Sequence, residues 1–166
     1  MNKVQFLNKL YYNLGKQFTN FRVFHNYIGM SGEKHFSKWV YFLDAEEKDI
    51  EKATHRTLLV NEIVLDFDPV KDETFDHLTK KVKKTCFEFK QYKLKYLCFF
   101  TGSRGYHIHV FLEDLFYMSK EERRTFRVNM SRFYGSELQK NSEDVAIALE
   151  GVFHWKSGKP KTRCFW

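Results

Sequence analysis

VNEIVLDFD (60–68) and CFFTGSRGYHIHVF (98–111) are the segments whose reading decides the fold of this chain. The first is an apolar run broken by two carboxylates in D-x-D spacing. The second reads as a strand, a glycine-flanked turn and a second strand, and it carries Arg104, His107 and His109. Side chains of a strand alternate between faces, so Asp66 and Asp68 share one side while Ile63, Leu65 and Phe67 share the other. The same period sets His107 and His109 together, opposite Tyr106, Ile108 and Val110. Neighbouring carboxylates repel unless a hard cation neutralises them. Such a pair beside imidazoles, on the side of a sheet away from its core, suits metal-assisted chemistry on a phosphate.

The flanking segments supply the rest of an α+β frame. Val4, Leu7, Leu10, Tyr11 and Leu14 recur at helical spacing, giving an opening helix over roughly 2–16. FRVFHNYI (21–28) and WVYFL (39–43) read as strands around a Gly-containing loop, and 45–54 as a polar helical connector. After the strand at 60–68 comes a helix over about 72–91, with Phe75, Leu78, Val82, Cys86 and Phe89 on one stripe. Strands at 94–101 and 106–112 follow, joined through Gly102-Ser103-Arg104-Gly105. Ser119 to Glu122 forms a capping box for a helix to about 139, with Phe126, Met130, Phe133 and Tyr134 as its stripe. A short strand, DVAIAL (144–149), precedes a basic tail.

In order, residues 60–149 read β-α-β-β-α-β, an RRM-like, ferredoxin-like core. The expectation is one domain, 1–166, in which an N-terminal α/β extension (1–58) packs on a core (59–166). Right-handed crossovers predict the strand order fourth, first, third, second. Both helices then cover the Leu65/Ile108 face and leave the Asp/His face open. That order lays His107 beside Asp66 and brings the start of the fourth strand, Asp144, to the Asp pair; Glu143 and Glu137 remain alternatives.

Composition narrows the classes. A net charge of +7 favours a polyanionic partner, and 43% apolar residues with 18 Phe and 9 Tyr exclude a disordered chain. Cys86, Cys98 and Cys164 are odd in number and lack C-x-x-C spacing, which excludes a disulfide frame and a structural zinc ribbon. The amino terminus lacks the apolar stretch of a signal peptide, and the longest apolar run, YLCFF (96–100), is too short to span a membrane. The expectation is a soluble, intracellular protein of a prokaryote or virus-infected cell, without a membrane partner.

D-F-D after IVL, T-G-S-R-G-Y-H-I-H-V, and L-E-G-V-F-H-W-K-S-G-K-P resemble the three signature segments of the archaeo-eukaryotic primase superfamily. The likeness is to the small catalytic primase subunit and to primase-polymerases. It runs from about residue 58 to 160, and its middle segment is the most specific. The resemblance implies DNA-templated synthesis of short strands from nucleoside triphosphates, with two Mg²⁺ or Mn²⁺ ions. It implies metal-binding roles for Asp66 and Asp68, with Asp144 the geometric choice for the third carboxylate. Thr101, Ser103, Arg104 and His107 match positions that contact the triphosphate, as do His154 and Lys156. Single-stranded DNA, nucleoside triphosphates and a helicase or large-subunit-like protein are the implied partners. The chain departs from the pattern at Ala148, in place of a basic residue, and at Glu150, in place of proline. It also lacks the zinc module, as a minimal viral or plasmid version or an excised catalytic domain would.

Two other readings stay open. His107-Ile108-His109 resembles the metal motif of single-stranded DNA nicking enzymes, with Tyr117 and Tyr134 as available nucleophiles, though neither sits in a Tyr-x-x-x-Lys setting. An RRM-like binder would instead carry stacking aromatics on the open face. The tail HWKSGKPKTR (154–163) is expected to leave from that face and bind template phosphates through Lys159, Lys161 and Arg163.

Overall fold

A computed structural model of the protein describes residues 1–12, 21–154 and 156–166. The opening helix is α1 (Lys3–Tyr12), which buries Leu7 and rests Val4, Phe6 and Leu10 on the same cluster. Leu14 and the rest of its expected span lie outside the described residues. The run 21–28 is two strands: β1 (Arg22–Phe24) and β2 (Asn26–Ile28). β2 forms a hairpin with β3 (Lys34–Phe36), a strand hidden in the expected loop. β4 (Val40–Tyr41), the expected connector helix α2 (Glu47–Lys52) and β5 (His55–Thr57) complete the N-terminal part.

The core elements follow the sequence reading closely: β6 (Glu62–Phe67), α3 (Phe75–Gln91), β7 (Lys95–Phe100), β8 (Tyr106–Phe111) and α4 (Lys120–Tyr134). α4 starts at the expected box. Ser119 Oγ accepts from the Glu122 amide at 3.2 Å, and the Glu122 carboxylate accepts from the Ser119 amide at 2.7 Å. It ends short of 139 because Gly135 takes a left-handed conformation (φ 64°) that stops the helix. Leu78, Val82, Cys86 and Phe89 of α3 are fully buried, as the stripe requires, whereas Phe75 at its start and Phe133 of α4 are exposed.

The main sheet has the order β10-β7-β8-β6, where β10 (Thr162–Cys164) is formed by the tail. First, third and second strands are neighbours as expected, with β8 antiparallel to both. The fourth strand is not. β9 (Ala146–Ala148) lies in a second sheet, β4-β1-β5-β9, paired with β5 through His55↔Ala148. Beyond β6, the described residues form a single bridge, Asp66↔Glu137. Ile147 packs against Leu58 and Val64, so burial of its apolar face draws β9 across to the N-terminal sheet.

Both faces of the main sheet are covered. α3 and α4 pack on the Leu65, Ile108 and Val110 side. On the other side Leu97, Phe99 and Phe111 meet Leu7, Phe21, Val23 and Phe42 of the N-terminal part. The Asp/His face is therefore largely closed, and all six residues of β8 are buried. Only its Asp66/His107 end opens outward.

Candidate functional site

A cavity of about 580 Å³ lies at that open end. Asp66, Asp68, Thr101, Ser103, Arg104, His107, His154 and Lys156, all named from sequence, line it together. The β6–β8 register sets Asp66 directly opposite His107, and His107 Nε2 lies 3.2 Å from Asp66 Oδ1. Burial opposes charge on Asp66, but His107, Lys140 and Lys161 hold its carboxyl below the usual range. Burial and nearby Lys161 push the His107 imidazole down, so it is neutral and donates one hydrogen bond to Asp66. Its other ring nitrogen, Nδ1, is buried without a hydrogen-bond partner.

The T-G-S-R-G turn is shaped by two close approaches. A Cβ on Gly105 would sit 2.2 Å from Asp68 Oδ1 and 2.5 Å from the Phe67 carbonyl oxygen, so only glycine lets the turn touch the D-x-D end. Gly102 has φ 88°, and a Cβ there would come within 2.5 Å of the Lys159 carbonyl oxygen. The turn at 154–159 thus docks backbone to backbone on the turn at 102–105. The Ser157 hydroxyl donates to the Gly102 carbonyl, and the His154 amide donates to the Lys159 carbonyl at 2.8 Å. Two segments far apart in sequence are fixed as one wall. Arg104, with most of its guanidinium in solvent, lies 3.7 Å from Asp68 Oδ2.

Asp144 is the correction. Because β9 joins the other sheet, Asp144 is not brought to the Asp pair. It is ion-paired with Arg22 at 2.7 Å and Lys120 at 2.8 Å, outside the cavity. Glu143 is held by Arg123 and Arg127. Glu137, kept above as an alternative, is the acid beside the pair: its amide donates to the Asp66 carbonyl at 2.8 Å. Partial burial and then repulsion from Asp66 and Asp68 raise its carboxyl. Among the described residues, no three His, Cys, Asp or Glu side chains already form a metal cage.

His109 and Lys161 also differ from expectation. His109 Nδ1 lies 2.6 Å from Glu62 Oε1, and its Nε2 lies 3.4 Å from Lys161 Nζ. Both ring nitrogens are engaged, and burial and Lys161 lower the imidazole to about 4. Lys161 is 3% exposed, lines the cavity and donates to the Ala148 carbonyl at 2.9 Å, so it is a buried cation of the cavity wall rather than an exposed tail lysine. Arg56 completes the cluster, bonded to Glu62 at 2.7 Å and to Glu150 at 3.0 Å. Sequence reasoning missed Lys140, which lines the cavity 3.9 Å from Asp66 Oδ2. It sits in the polar loop after α4, where nothing in the spacing marks it.

The fold has a solved counterpart. The polymerase domain of Mycobacterium tuberculosis Ligase D, in complex with DNA, superimposes with a TM-score of 0.65 at 10% identity, over 89% of this chain and 73% of that one. The likeness is one of fold. The chain matches no family model and no curated protein in sequence. No helix among the described residues is long and apolar enough to cross a membrane.

Proposed function

We propose that the protein is a DNA-templated nucleotidyltransferase of the primase-polymerase kind, acting on nucleoside triphosphates. The observation that carries this reading is the convergence on one cavity of Asp66, Asp68, Thr101, Ser103, Arg104, His107, His154 and Lys156, for which the resemblance implies metal- and triphosphate-binding roles. The likeness of fold to a polymerase domain supports the reading.

The cavity has an acidic end and a basic end. Asp66 and Asp68 form the first, with Glu137 beside them, its carboxyl raised by partial burial and then by repulsion from the pair; the two carboxylates fit a divalent cation. Two carboxylates completed by substrate phosphates is the ligand set Mg²⁺ prefers, and Mn²⁺ accepts the same oxygen donors. When bound, the metal would supply activation of a strand-end hydroxyl and neutralisation of the triphosphate. Arg104, His154 and Lys156 form the basic end and hold phosphate oxygens by charge-assisted hydrogen bonds. Thr101 and Ser103 place hydroxyls on the same wall. His107 keeps Asp66 in position.

The nicking reading is less favoured. His109 has no nitrogen left for a metal, and Tyr134 packs in the core against Phe89, with ring centroids 5.0 Å apart. The test is incubation with single-stranded DNA, Mn²⁺ and labelled nucleotides, read on a denaturing gel. The expected result is labelled strands without a protein–DNA adduct. A DNA-shifted protein band that disappears in Tyr117→Phe overturns the proposal.

The template path retains a testable basic component. Lys156→Ala with Lys159→Ala is expected to weaken single-strand binding and reduce its log–log salt slope by about 0.7 for each lost phosphate contact. An unchanged slope places the phosphates elsewhere. Lys161→Ala, by contrast, is expected to lower thermal stability first.

A further inference from the structure

We infer that a second recess, walled by Phe36 of the β2–β3 hairpin and by Trp39 just before β4, binds unpaired bases of a single-stranded nucleic acid as it leaves the cavity. This rests on the nucleotidyltransferase reading and adds the course of the template to it. The recess has a volume of about 290 Å³ and is lined by Arg22, Phe24, Phe36, Trp39, Asp144 and Ala146, among others. Large aromatic side chains normally seek burial, yet Phe36 is 58% exposed, Trp39 46% and Tyr41 44%. They are gathered rather than scattered: Trp39 meets Tyr41 edge-on at 5.2 Å, and Phe36 meets Phe24 edge-on at 5.7 Å.

Three observations select the occupant. The first is continuity. Ala146 lines both the recess and the larger cavity, and His55, a wall of that cavity, touches Phe36 edge-on at 6.1 Å. A strand whose end is paired in the cavity meets these rings next. The second is charge. Arg22 lies over the Trp39 ring at 4.9 Å, Lys34 and Lys38 are exposed nearby, and the Asp144 carboxylate is neutralised by Arg22 and Lys120. Phosphates are attracted while the rings take the bases, the combination that holds single strands without sequence preference. The third is preorganisation. Phe36 and Phe24 stand on paired strands, β3 with β2 and β1 with β4 and β5, and Trp39 directly precedes β4 and is held by Arg22 and Tyr41, so stacking demands little ordering.

The test measures anisotropy of a labelled oligothymidylate, and of an abasic strand of equal length, against the intact chain without nucleotide or metal. Phe36→Ala and Trp39→Ala are each expected to weaken oligothymidylate binding about fivefold or more, and to leave abasic-strand binding and the salt slope unchanged. Phe36→Leu and Trp39→Leu, which keep an apolar side chain without a ring, are expected to show the same loss and cover any failure of the alanine variants to fold. Oligothymidylate affinity unchanged in all four variants overturns the inference and leaves the patch to a protein partner. An equal loss on the abasic strand overturns it too, because stacking is then not what the rings supply. The outcomes separate from the parent reading. Incorporation by wild type with ring-insensitive binding removes only the recess, whereas ring-dependent binding without any incorporation removes only the catalytic assignment.

Discussion

Alanine at both Asp66 and Asp68 is expected to abolish templated incorporation, a loss of at least about a thousandfold, while the protein stays folded. Removing one preorganised charge-stabilising group from a reacting site already costs about a hundredfold to a thousandfold, and here the acidic end loses both members of its pair. The fold should survive because neither carboxylate belongs to the buried ionic cluster. Asp66 leaves one hydrogen bond of His107 unmade, and Asp68 lies past the end of β6, partly in solvent. Far-UV circular dichroism and a melting curve check the fold, and a primer-extension gel checks activity. Incorporation at the wild-type rate sinks the assignment. The third carboxylate is settled by order: Glu137→Gln is expected to cost more activity than Asp144→Asn. The reverse order would return that role to Asp144.

The second large effect is on stability. Arg56→Met leaves Glu62 and Glu150 buried with only Lys161 to offset them, and breaking a buried charge set by removing one member costs about 3–5 kcal/mol. For a chain of this size that corresponds to a fall in Tm of roughly 6–20 °C. A fall under a few degrees would mean the cluster is far better hydrated than its burial indicates. Acid should act in the same direction. Burial, with help from Lys140 at His55 and from Lys161 at His109, lowers both imidazoles from 6.5 to about 4. The unfolded chain therefore binds more protons between these values, and stability is lost as pH falls from about 6.5 toward 4. Glu62 and Glu150 are ionised against the cost of burial by Arg56, and their carboxyls lie well below the usual range. Their contribution, present above the unfolded carboxyl value, is lost at still lower pH. Wild-type melting curves from pH 7 to pH 4 should thus fall steadily, and a flat profile would contradict the neutral assignment of both imidazoles.

The sequence was most readable where a long element carried a clear period. Six residues of β6 against six of β8 fixed Asp66 opposite His107, and the helical stripes placed α3 and α4 on the correct face. The capping box at Ser119 marked the start of α4 to the residue. Legibility ended where elements were short or where cover came from elsewhere in the chain. β1, β5 and β9 have three residues each, too few to show alternation, and their pairing decides whether Asp144 reaches the site. His109 looked equivalent to His107 because alternation assigns a face without saying what lies over it. The N-terminal part covers one and leaves the other at the cavity. Lys161 looked like the cations around it for the same reason, since charge in a basic tail says nothing of a buried carboxylate waiting across the sheet.

The buried cluster has a consequence for how this sequence can change over generations. Arg56 and Lys161 match Glu62 and Glu150, with His109 neutral between them, so the formal charges cancel only when all are present. A change at any one of these positions leaves a buried charge unmatched unless another changes with it, so on physical grounds the set is expected to change as a block. Glu150, which departs from the pattern of the superfamily the sequence resembles, is admissible here because Arg56 and Lys161 accompany it. Lineages that exchanged such a block as a whole would keep the cavity above it while sharing few identities around it.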